Sequence, residues 1–357
     1  FAWAFKKKLW TYSANRIPEI ADDIVNVDRA MSWGFNWELG PFASWDAVGL
    51  RESVERMKKE GEKIPALVEE MLANGIESFY KEDEDGTLLY YDINSKSYQP
   101  VPVSKEIINL PTLKKQNKLV KGNDDGSLID LGDGVVCLEM HSPQQAISPL
   151  FTQFIFEAIE ETEKNFAGMV ISNQERNFCV GANVGLLLMA AQSGEWDMLE
   201  KSVKDFQDAM MAIKYSRIPV VGAPFQMTLG GGMEIVLHCD RIHAAAETYM
   251  GQVEMGVGLI PGGGGNKELL YRFIEGVPEG VDVDLLPFVQ KAFEAIAMAT
   301  VSTSARHAQE LGFMRKTDKI SINQDFLIHD AKQTVLGMLT EEYEPPRTKA
   351  VPALGDY

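Results

Sequence analysis

The chain has 357 residues, a length that predicts two domains. Hydrophobic residues make up 45% of it and charged residues 24%, a composition typical of a soluble globular protein. Its net charge of −18 argues against nucleic acid and anionic membranes as general partners. No apolar run approaches the roughly 20 residues of a membrane span. The three cysteines, widely spaced, fit no metal pattern and indicate reduced thiols in a cytoplasmic setting.

The amino-terminal segment is predicted to be a separate helical domain, residues 1–80. Five of the six tryptophans lie at or before Trp45. Pro18 is predicted to open a helix, because acidic residues follow it in the first turn. An apolar stripe at helical spacing supports this helix: Ile20, Ile24, Val27 and Met31. Because the chain begins at Phe1 rather than Met, we expect a fragment of a longer protein.

Residues 81–126 are predicted to form a two-stranded hairpin around an Asp-Gly turn, followed by a linker that places the domain boundary near residue 120. The linker contains a basic run: Lys114, Lys115, Lys118 and Lys121. In an acidic protein this run fits either a solvated linker or a local patch for an anionic substrate.

From residue 127 onwards, strand and helix patterns alternate, which predicts an α/β layered core over residues 127–284 and a helical region over 285–357. Strands are predicted at 127–130, 135–140, 168–172, 220–223 and 241–245. Helices are predicted at 149–165, 195–214, 231–238 and 265–272.

A triple glycine at 230–232 runs into one of these helices. The pattern fits a tight turn, a phosphate loop or an oxyanion pocket. The dinucleotide fingerprint fails because Ile235 stands where its third glycine would be, and a P-loop over 262–267 fails at Asn266. The oxyanion pocket has the best physical basis, since a helix N-terminus presents unpaired N–H groups. One such donor contributes about 3–4 kcal/mol to transition-state binding.

Two glutamates accompany the glycines. Glu234 lies in the first turn of the predicted helix, and Glu254 lies in a Gly-Gln-Val-Glu turn. Either alone fits an ordinary surface carboxylate, but both are flanked by glycine and apolar residues. The segment 178–183, FCVGAN, follows a predicted strand and is either a plain loop or the source of a second backbone donor, Ala182. Cys179 within it, like His238 and His243, is interpreted as structural, and no metal site is expected.

These segments, together with GLIPGGGGNKEL at 258–269, resemble the crotonase (enoyl-CoA hydratase/isomerase) superfamily over about residues 127–340. The resemblance implies a crotonase-like core of ββα turns wound into a spiral, which binds a CoA thioester. It implies an oxyanion hole formed by the N–H groups of Ala182 and Gly231, with Glu234 and Glu254 as the catalytic pair. The residues expected to contact substrate are Val180, Gly181, Gly230, Pro261 and Gly262.

The sequence departs from the family pattern at three places: His141-Ser142-Pro143, Asn183, and Pro224-Phe225-Gln226. These departures concern contacts with CoA more than the chemistry. The Lys run and Lys267 are candidates for contacts with the CoA phosphates. Family members that only isomerise a double bond usually lack one glutamate of the pair, so the presence of both favours hydration.

Residues 14–49 resemble the helical C-terminal domain of 3-hydroxyacyl-CoA dehydrogenases, and the segments 292–323 and 344–355 are similar to fused dehydrogenase–crotonase proteins of fatty-acid β-oxidation. The resemblance implies a small all-α dehydrogenase-type domain before the crotonase core. No glycine fingerprint for NAD opens the chain, so no cofactor is expected here, and NAD is expected only for a missing dehydrogenase domain.

The resulting hypothesis is an enoyl-CoA hydratase that acts on acyl-CoA substrates. The alternatives are an enoyl-CoA isomerase and a non-catalytic module that binds acyl-CoA or docks the missing NAD-binding domain and a thiolase. The sequence leaves the oligomeric state open, a homo-oligomer included. It also leaves open the acyl-chain length and which glutamate is the acid.

Overall fold

A computed structural model describes residues 1–278 and 281–348. The chain divides into two compact units, Phe1–Ser104 and Lys105–Tyr357. The division therefore falls at residue 104 rather than near residue 120. The end of the helical region predicted over 285–357 lies outside the described residues from 349 onwards.

The first unit contains five helices and a small sheet within the described residues. The helices are α1 (Ala2–Asn15), α2 (Ile24–Phe35), α3 (Pro41–Val48), α4 (Leu50–Lys59) and α5 (Ala66–Ala73). The strands β1 (Tyr80–Glu82), β2 (Leu88–Asp92) and β3 (Ser97–Pro100) form an antiparallel sheet in that order. The predicted hairpin thus has a third strand, whose polar composition hid it.

The predicted start of the second helix at Pro18 is wrong. Helix α2 begins at Ile24, because the Asp23 side chain caps it by accepting a hydrogen bond from the Asn26 N–H at 2.7 Å. Ile20 lies outside the helix and is exposed. The acidic residues after Pro18 therefore precede the helix instead of forming its first turn.

Aromatic side chains form the core of the first unit. The fully buried rings of Trp10 and Trp45 stack with their centroids 5.5 Å apart and an interplanar angle of 9°. Each indole N–H donates to a buried hydroxyl, Trp10 to Ser44 at 3.0 Å and Trp45 to Ser53 at 2.6 Å. The apolar rings are therefore buried without leaving their polar atoms unpaired.

The second unit is built from strands and helices in alternation. Its helices are α6 (Leu110–Lys115), α7 (Pro149–Asn165), α8 (Val184–Gln192), α9 (Trp196–Lys214), α10 (Gly231–His238), α11 (Gly265–Ile274), α12 (Leu286–Ala297), α13 (Ala305–Leu311) and α14 (Leu327–Thr340). Its strands are β4 (Leu119–Gly122), β5 (Gly126–Asp130), β6 (Val135–Met140), β7 (Ala146–Ile147), β8 (Gly168–Ser172), β9 (Gly181–Ala182), β10 (Val220–Gly222), β11 (Gln226–Leu229), β12 (Arg241–Ala245), β13 (Thr248–Gly251) and β14 (Lys319–Ser321).

A seven-stranded sheet in the order β14-β12-β10-β8-β6-β5-β4 organises this unit. The strands from β6 to β14 run parallel, whereas β4, β5 and β6 pair antiparallel. All residues of β6, β8 and β10 are buried, as expected for strands covered on both faces. Two further parallel pairs, β7 with β9 and β11 with β13, carry the chain past the carboxyl ends of the main strands.

The basic run belongs to helix α6 and the region of strand β4 rather than to a linker. Lys118 and Lys121 flank or lie in β4, and Lys114 lies in α6. Their ammonium groups pair with carboxylates of the same unit: Lys114 with Glu139 at 2.5 Å, Lys118 with Asp130 at 3.0 Å and Lys121 with Glu157 at 2.7 Å. These three charges are balanced inside the unit.

No described helix is both long and apolar enough to cross a membrane.

Removing the buried Trp45 ring should destabilise the first unit. We expect Trp45→Ala to lower the free energy of unfolding by about 3–5 kcal/mol, because the cavity forfeits both the ring stack and its burial. The control Trp33→Ala removes a ring that is 66% exposed and should cost no more than about 1 kcal/mol. Urea unfolding of the full chain, followed by circular dichroism, measures both, and equal costs would contradict this packing.

Candidate active site

The triple glycine forms the junction between β11 and α10. Gly230 has φ 54° and ψ −123°, a conformation that favours glycine, and its N–H donates to the Gly251 carbonyl at 2.9 Å. This turn makes Gly231 the first residue of α10, whose residues are all buried. The N–H of Gly231 therefore has no acceptor within the helix and carries part of the positive end of the helix dipole.

Strand β9 passes directly beside this helix start. Gly181 has φ 89°, and a Cβ atom there would lie 3.1 Å from the Leu229 carbonyl oxygen and 3.3 Å from the Gly231 nitrogen. Val180 is fixed by its N–H, which donates to the Gln145 carbonyl at 3.2 Å. The structure thus brings the backbone that leads into Ala182 next to Gly231, and Ala182 is exposed.

Glu234 lies in the first turn of α10 and is 2% exposed. Its Oε1 accepts hydrogen bonds from the N–H groups of Gly263 and Gly265, both at 2.8 Å. Gly265 is the first residue of α11, so the carboxylate lies at the amino end of a second helix. Burial, and to a smaller extent the charge of Glu254, raise the pKa of Glu234, the two N–H bonds lower it, and the net value is about 7.

Glu254, the second predicted catalytic glutamate, also lies close to the glycine junction. It begins a short 3-10 turn, Glu254–Val257. Its Oε1 lies 3.3 Å from the position that a Cβ atom on Gly230 would take. Its Oε2 is buried and has no hydrogen-bond partner among the described residues. Burial raises the pKa of this carboxyl group as well.

The turn that precedes α11 is anchored to α9. The Gln207 side chain donates to the Gly262 carbonyl at 2.7 Å, and the Asn266 side chain donates to the Pro261 carbonyl at 3.1 Å. The ring of Phe206 lies between the two glycine segments, within 3.4 Å of a Cβ position on Gly231 and 2.3 Å of one on Gly263. The candidate substrate residues therefore surround the start of α10 and the turn before α11.

Several residues outside the predicted set shape this site. Gly263 and Gly265 hold the Glu234 carboxylate, although sequence spacing gave no reason to select them.

Cys179 and Lys267, which the sequence analysis considered, are both accounted for inside the protein. Cys179 is buried, and burial raises the pKa of its thiol to about 12, so the thiol remains protonated, in agreement with a structural role. Lys267 lies 2.9 Å from the Glu268 carboxylate, so its charge is balanced inside the protein.

The second unit also contains a cavity that is separate from the candidate active site. A cavity of about 500 Å³ is lined by residues of β12, β14 and α14, among them Arg241 and Asp330, and contains none of the candidate site residues. His243 there hydrogen-bonds Thr334 and Ser321, at 2.9 and 3.0 Å. Within residues 1–278 and 281–348, no three His, Cys, Asp or Glu side chains come together as a metal site would require.

Two curated relatives resemble the chain along much of its length. It is 47% identical over 354 residues to a probable 3-hydroxyacyl-CoA dehydrogenase of Bacillus subtilis, which covers 99% of this chain and 44% of that protein. It is 27% identical over 265 residues to a putative fatty acid oxidation complex trifunctional enzyme of Rickettsia felis, covering 74% of this chain and 34% of that protein. The chain thus spans less than half the length of these relatives.

Family and fold comparisons agree on the second unit. Residues 130–275 match the model of the family described as Enoyl-CoA hydratase/isomerase. A crystal structure of an enoyl-CoA hydratase from Bacillus anthracis shares the fold, with a TM-score of 0.50 and 22% identity over 61% of this chain and 77% of that chain. The predicted α/β, crotonase-like core is confirmed. Residues 130–275 therefore match the enoyl-CoA hydratase/isomerase family model, and the second unit shares the fold of an enoyl-CoA hydratase.

Proposed function

We propose that the second unit is an enoyl-CoA hydratase of fatty-acid β-oxidation, which adds water to a trans-2-enoyl-CoA and gives a 3-hydroxyacyl-CoA. The observation that carries the proposal is a buried Glu234 carboxyl group with a pKa of about 7, electrostatically coupled to Glu254 beside a glycine helix start. The product class also fits the named relatives. A 3-hydroxyacyl-CoA is the substrate of a 3-hydroxyacyl-CoA dehydrogenase, the activity named for the Bacillus subtilis relative.

The glycine junction supplies electrostatic stabilisation in this proposal. The thioester oxygen accepts hydrogen bonds from the N–H groups of Ala182 and Gly231. The oxygen gains negative charge as water adds to the β-carbon, and preorganised donors stabilise that charge most strongly in a site that excludes water. The amino end of α10 adds its partial positive charge at the same point.

The two glutamates divide the proton transfers. Glu234 accepts a proton from water while the water oxygen bonds to the β-carbon. Glu254, in its protonated form, delivers a proton to the α-carbon of the resulting enolate, and the carbonyl is restored. One proton is taken up and one is given, so the pair is regenerated when the proton returns from Glu234 to Glu254. Two neighbouring carboxyl groups, that of Glu234 buried and that of Glu254 half-buried, titrate as a coupled pair, which suits an acid and a base in one site.

Amide substitution of either glutamate tests the pair. We expect Glu234→Gln and Glu254→Gln each to lower kcat for crotonyl-CoA by about 10²–10⁴-fold, the usual range for a general acid or base. Loss of enoyl absorbance measures the rate, and thermal unfolding shows whether each variant is folded. Wild-type rates in both variants would rule out the mechanism.

A 3-enoyl-CoA substrate separates the alternative functions. Hydration needs both carboxyl groups, whereas migration of a double bond can proceed with one. Turnover of 3-enoyl-CoA without hydration of crotonyl-CoA would indicate an isomerase. Binding of an acyl-CoA with no turnover of either substrate would indicate the non-catalytic module.

The pH dependence should report Glu234 directly. Because a base acts only when ionised, kcat/KM should rise with pH through about 7, the value to which burial raises the pKa of Glu234. Rates measured from pH 5 to 9 check this. A rising limb near pH 4.5 in the wild type would contradict it.

The close approach of β9 to α10 can be tested by adding one methyl group. In Gly181→Ala the new Cβ atom would lie 3.1 Å from the Leu229 carbonyl oxygen, at a positive φ that alanine disfavours. Displacing β9 should lower kcat/KM for crotonyl-CoA by about 10²–10³-fold, the cost of an oxyanion donor. Gly337→Ala in α14, where nothing lies within 4 Å of the new atom, is the control and should leave the rate unchanged. Equal rates in both variants would contradict the proposed oxyanion hole.

A further inference from the structure

Behind the candidate site, Glu268 is the centre of a buried cluster of charges. Glu268 lies in the first turn of α11 and is 2% exposed. The ammonium group of Lys214 lies 2.5 and 2.7 Å from its two oxygens, and that of Lys267 lies 2.9 Å from one of them. A buried carboxylate is stable only when it is paired in this way, so its geometry is strongly specified.

His238 connects this cluster to the backbone of Glu234. It lies at the end of α10, one turn after Glu234, and its Nδ1 is 2.7 Å from the Glu234 carbonyl oxygen. A carbonyl oxygen only accepts, so Nδ1 carries the proton. Nε2 is left as an acceptor, 3.4 Å from the Lys267 ammonium group and 3.6 Å from a Glu268 oxygen. Burial lowers the pKa of His238 to about 4, which keeps the ring neutral near pH 7.

The cluster joins the three helices that determine where the Glu234 carboxylate lies. Lys214 ends α9, His238 ends α10, and Lys267 and Glu268 lie in the first turn of α11. His238 also contacts the glycine turn, since a Cβ atom on Gly264 would lie 3.1 Å from its Nε2. Glu234 is carried by α10, but its carboxylate is held by N–H groups at the start of α11. A shift between these helices would therefore break those hydrogen bonds.

We propose that Glu268, with Lys214, Lys267 and His238, acts as a positioning cluster that fixes α10 against the amino end of α11. The cluster keeps the Glu234 carboxylate on the N–H groups of Gly263 and Gly265 and touches no reacting atom. The inference rests on the proposed function for its kinetic consequences only.

Two substitutions of His238 separate positioning from charge, because the histidine is neutral. In His238→Leu the link to the Glu234 carbonyl is lost. We expect kcat for crotonyl-CoA to fall at least 10-fold while KM stays within threefold. In His238→Asn the side-chain amide can still donate to that carbonyl, and kcat should stay within threefold of wild type.

The pH profile supplies a readout that a loss of stability alone would not move. The N–H bonds from Gly263 and Gly265 lower the pKa of Glu234, so their loss in His238→Leu should move the rising limb to higher pH. Glu254, the titratable side chain that acts electrostatically on Glu234, is unchanged in this variant. Unchanged pH limbs in a folded His238→Leu would overturn the proposal.

A charge-balanced pair of substitutions tests the carboxylate itself. Glu268→Gln combined with Lys214→Gln leaves the net charge unchanged and should reproduce the effects of His238→Leu on kcat and on the pH limb. The matched control is Lys201→Gln combined with Asp205→Asn, which removes an exposed pair 2.6 Å apart on the same helix. Equal effects of the two double variants would count against the cluster.

A titration that needs no turnover keeps the two proposals apart. Carbon-13 NMR of glutamate-labelled protein, with Glu234→Gln for assignment, follows the Glu234 carboxyl group in the wild type and in His238→Leu. A higher pKa in His238→Leu supports the positioning cluster even if the wild type fails to hydrate crotonyl-CoA. If the wild type hydrates crotonyl-CoA but the pKa of Glu234 is the same in His238→Leu as in the wild type, the positioning cluster is refuted and the proposed function stands.

Discussion

The two hydrogen bonds from the Gly263 and Gly265 N–H groups to Glu234 are the interaction on which the site depends. Burying this carboxylate without partners would cost several kcal/mol or force it to remain protonated. With two backbone donors at a helix start, the charged form is stabilised enough to keep its pKa near 7 in spite of burial. A carboxyl group in this range can exchange a proton with water at neutral pH.

That interaction also explains why the surrounding backbone is so rich in glycine. Cβ atoms at Gly263 and Gly265 would lie 2.5 Å from the Glu234 carboxylate and 2.6 Å from the Gln252 side chain, respectively. A Cβ atom at Gly232 would lie 2.5 Å from the Cys179 carbonyl oxygen. Close approach between β9, α10 and the turn before α11 therefore needs glycine at each position. Two helix starts can then serve one site: α10 faces the proposed thioester oxygen, and α11 holds the proposed base.

Buried strands were the part of the fold that the sequence predicted best. The strands over 135–140, 168–172 and 241–245 have the predicted bounds, because each is a short run of mostly buried residues in the parallel part of the sheet. Helix α8 was missed because Val184–Gln192 is apolar with little polar alternation, so no amphipathic period marks it. Strand β4 was placed in a linker because its lysines hid the pairing that Leu119 and its neighbours make with β5.

The same limit applies to the site. Glycine and glutamate patterns pointed to Gly231, Glu234 and Glu254, since these residues carry their signal locally. The holders of Glu234 lie 29 and 31 residues away in sequence, and the contact between Lys214 and Glu268 spans 54. Such contacts depend on how three helices pack, and no spacing rule within one segment encodes them.

The fate of water oxygen tests the central claim most directly. The wild-type chain is incubated with crotonyl-CoA in ¹⁸O-labelled water, and the product is analysed by mass spectrometry. We expect 3-hydroxybutyryl-CoA that carries the label at the β-carbon, formed by a folded Glu234→Gln variant at least about 10²-fold more slowly than by the wild type. Recovery of unchanged, unlabelled crotonyl-CoA from the wild type, or equal initial rates of labelling by both proteins, would contradict this mechanism.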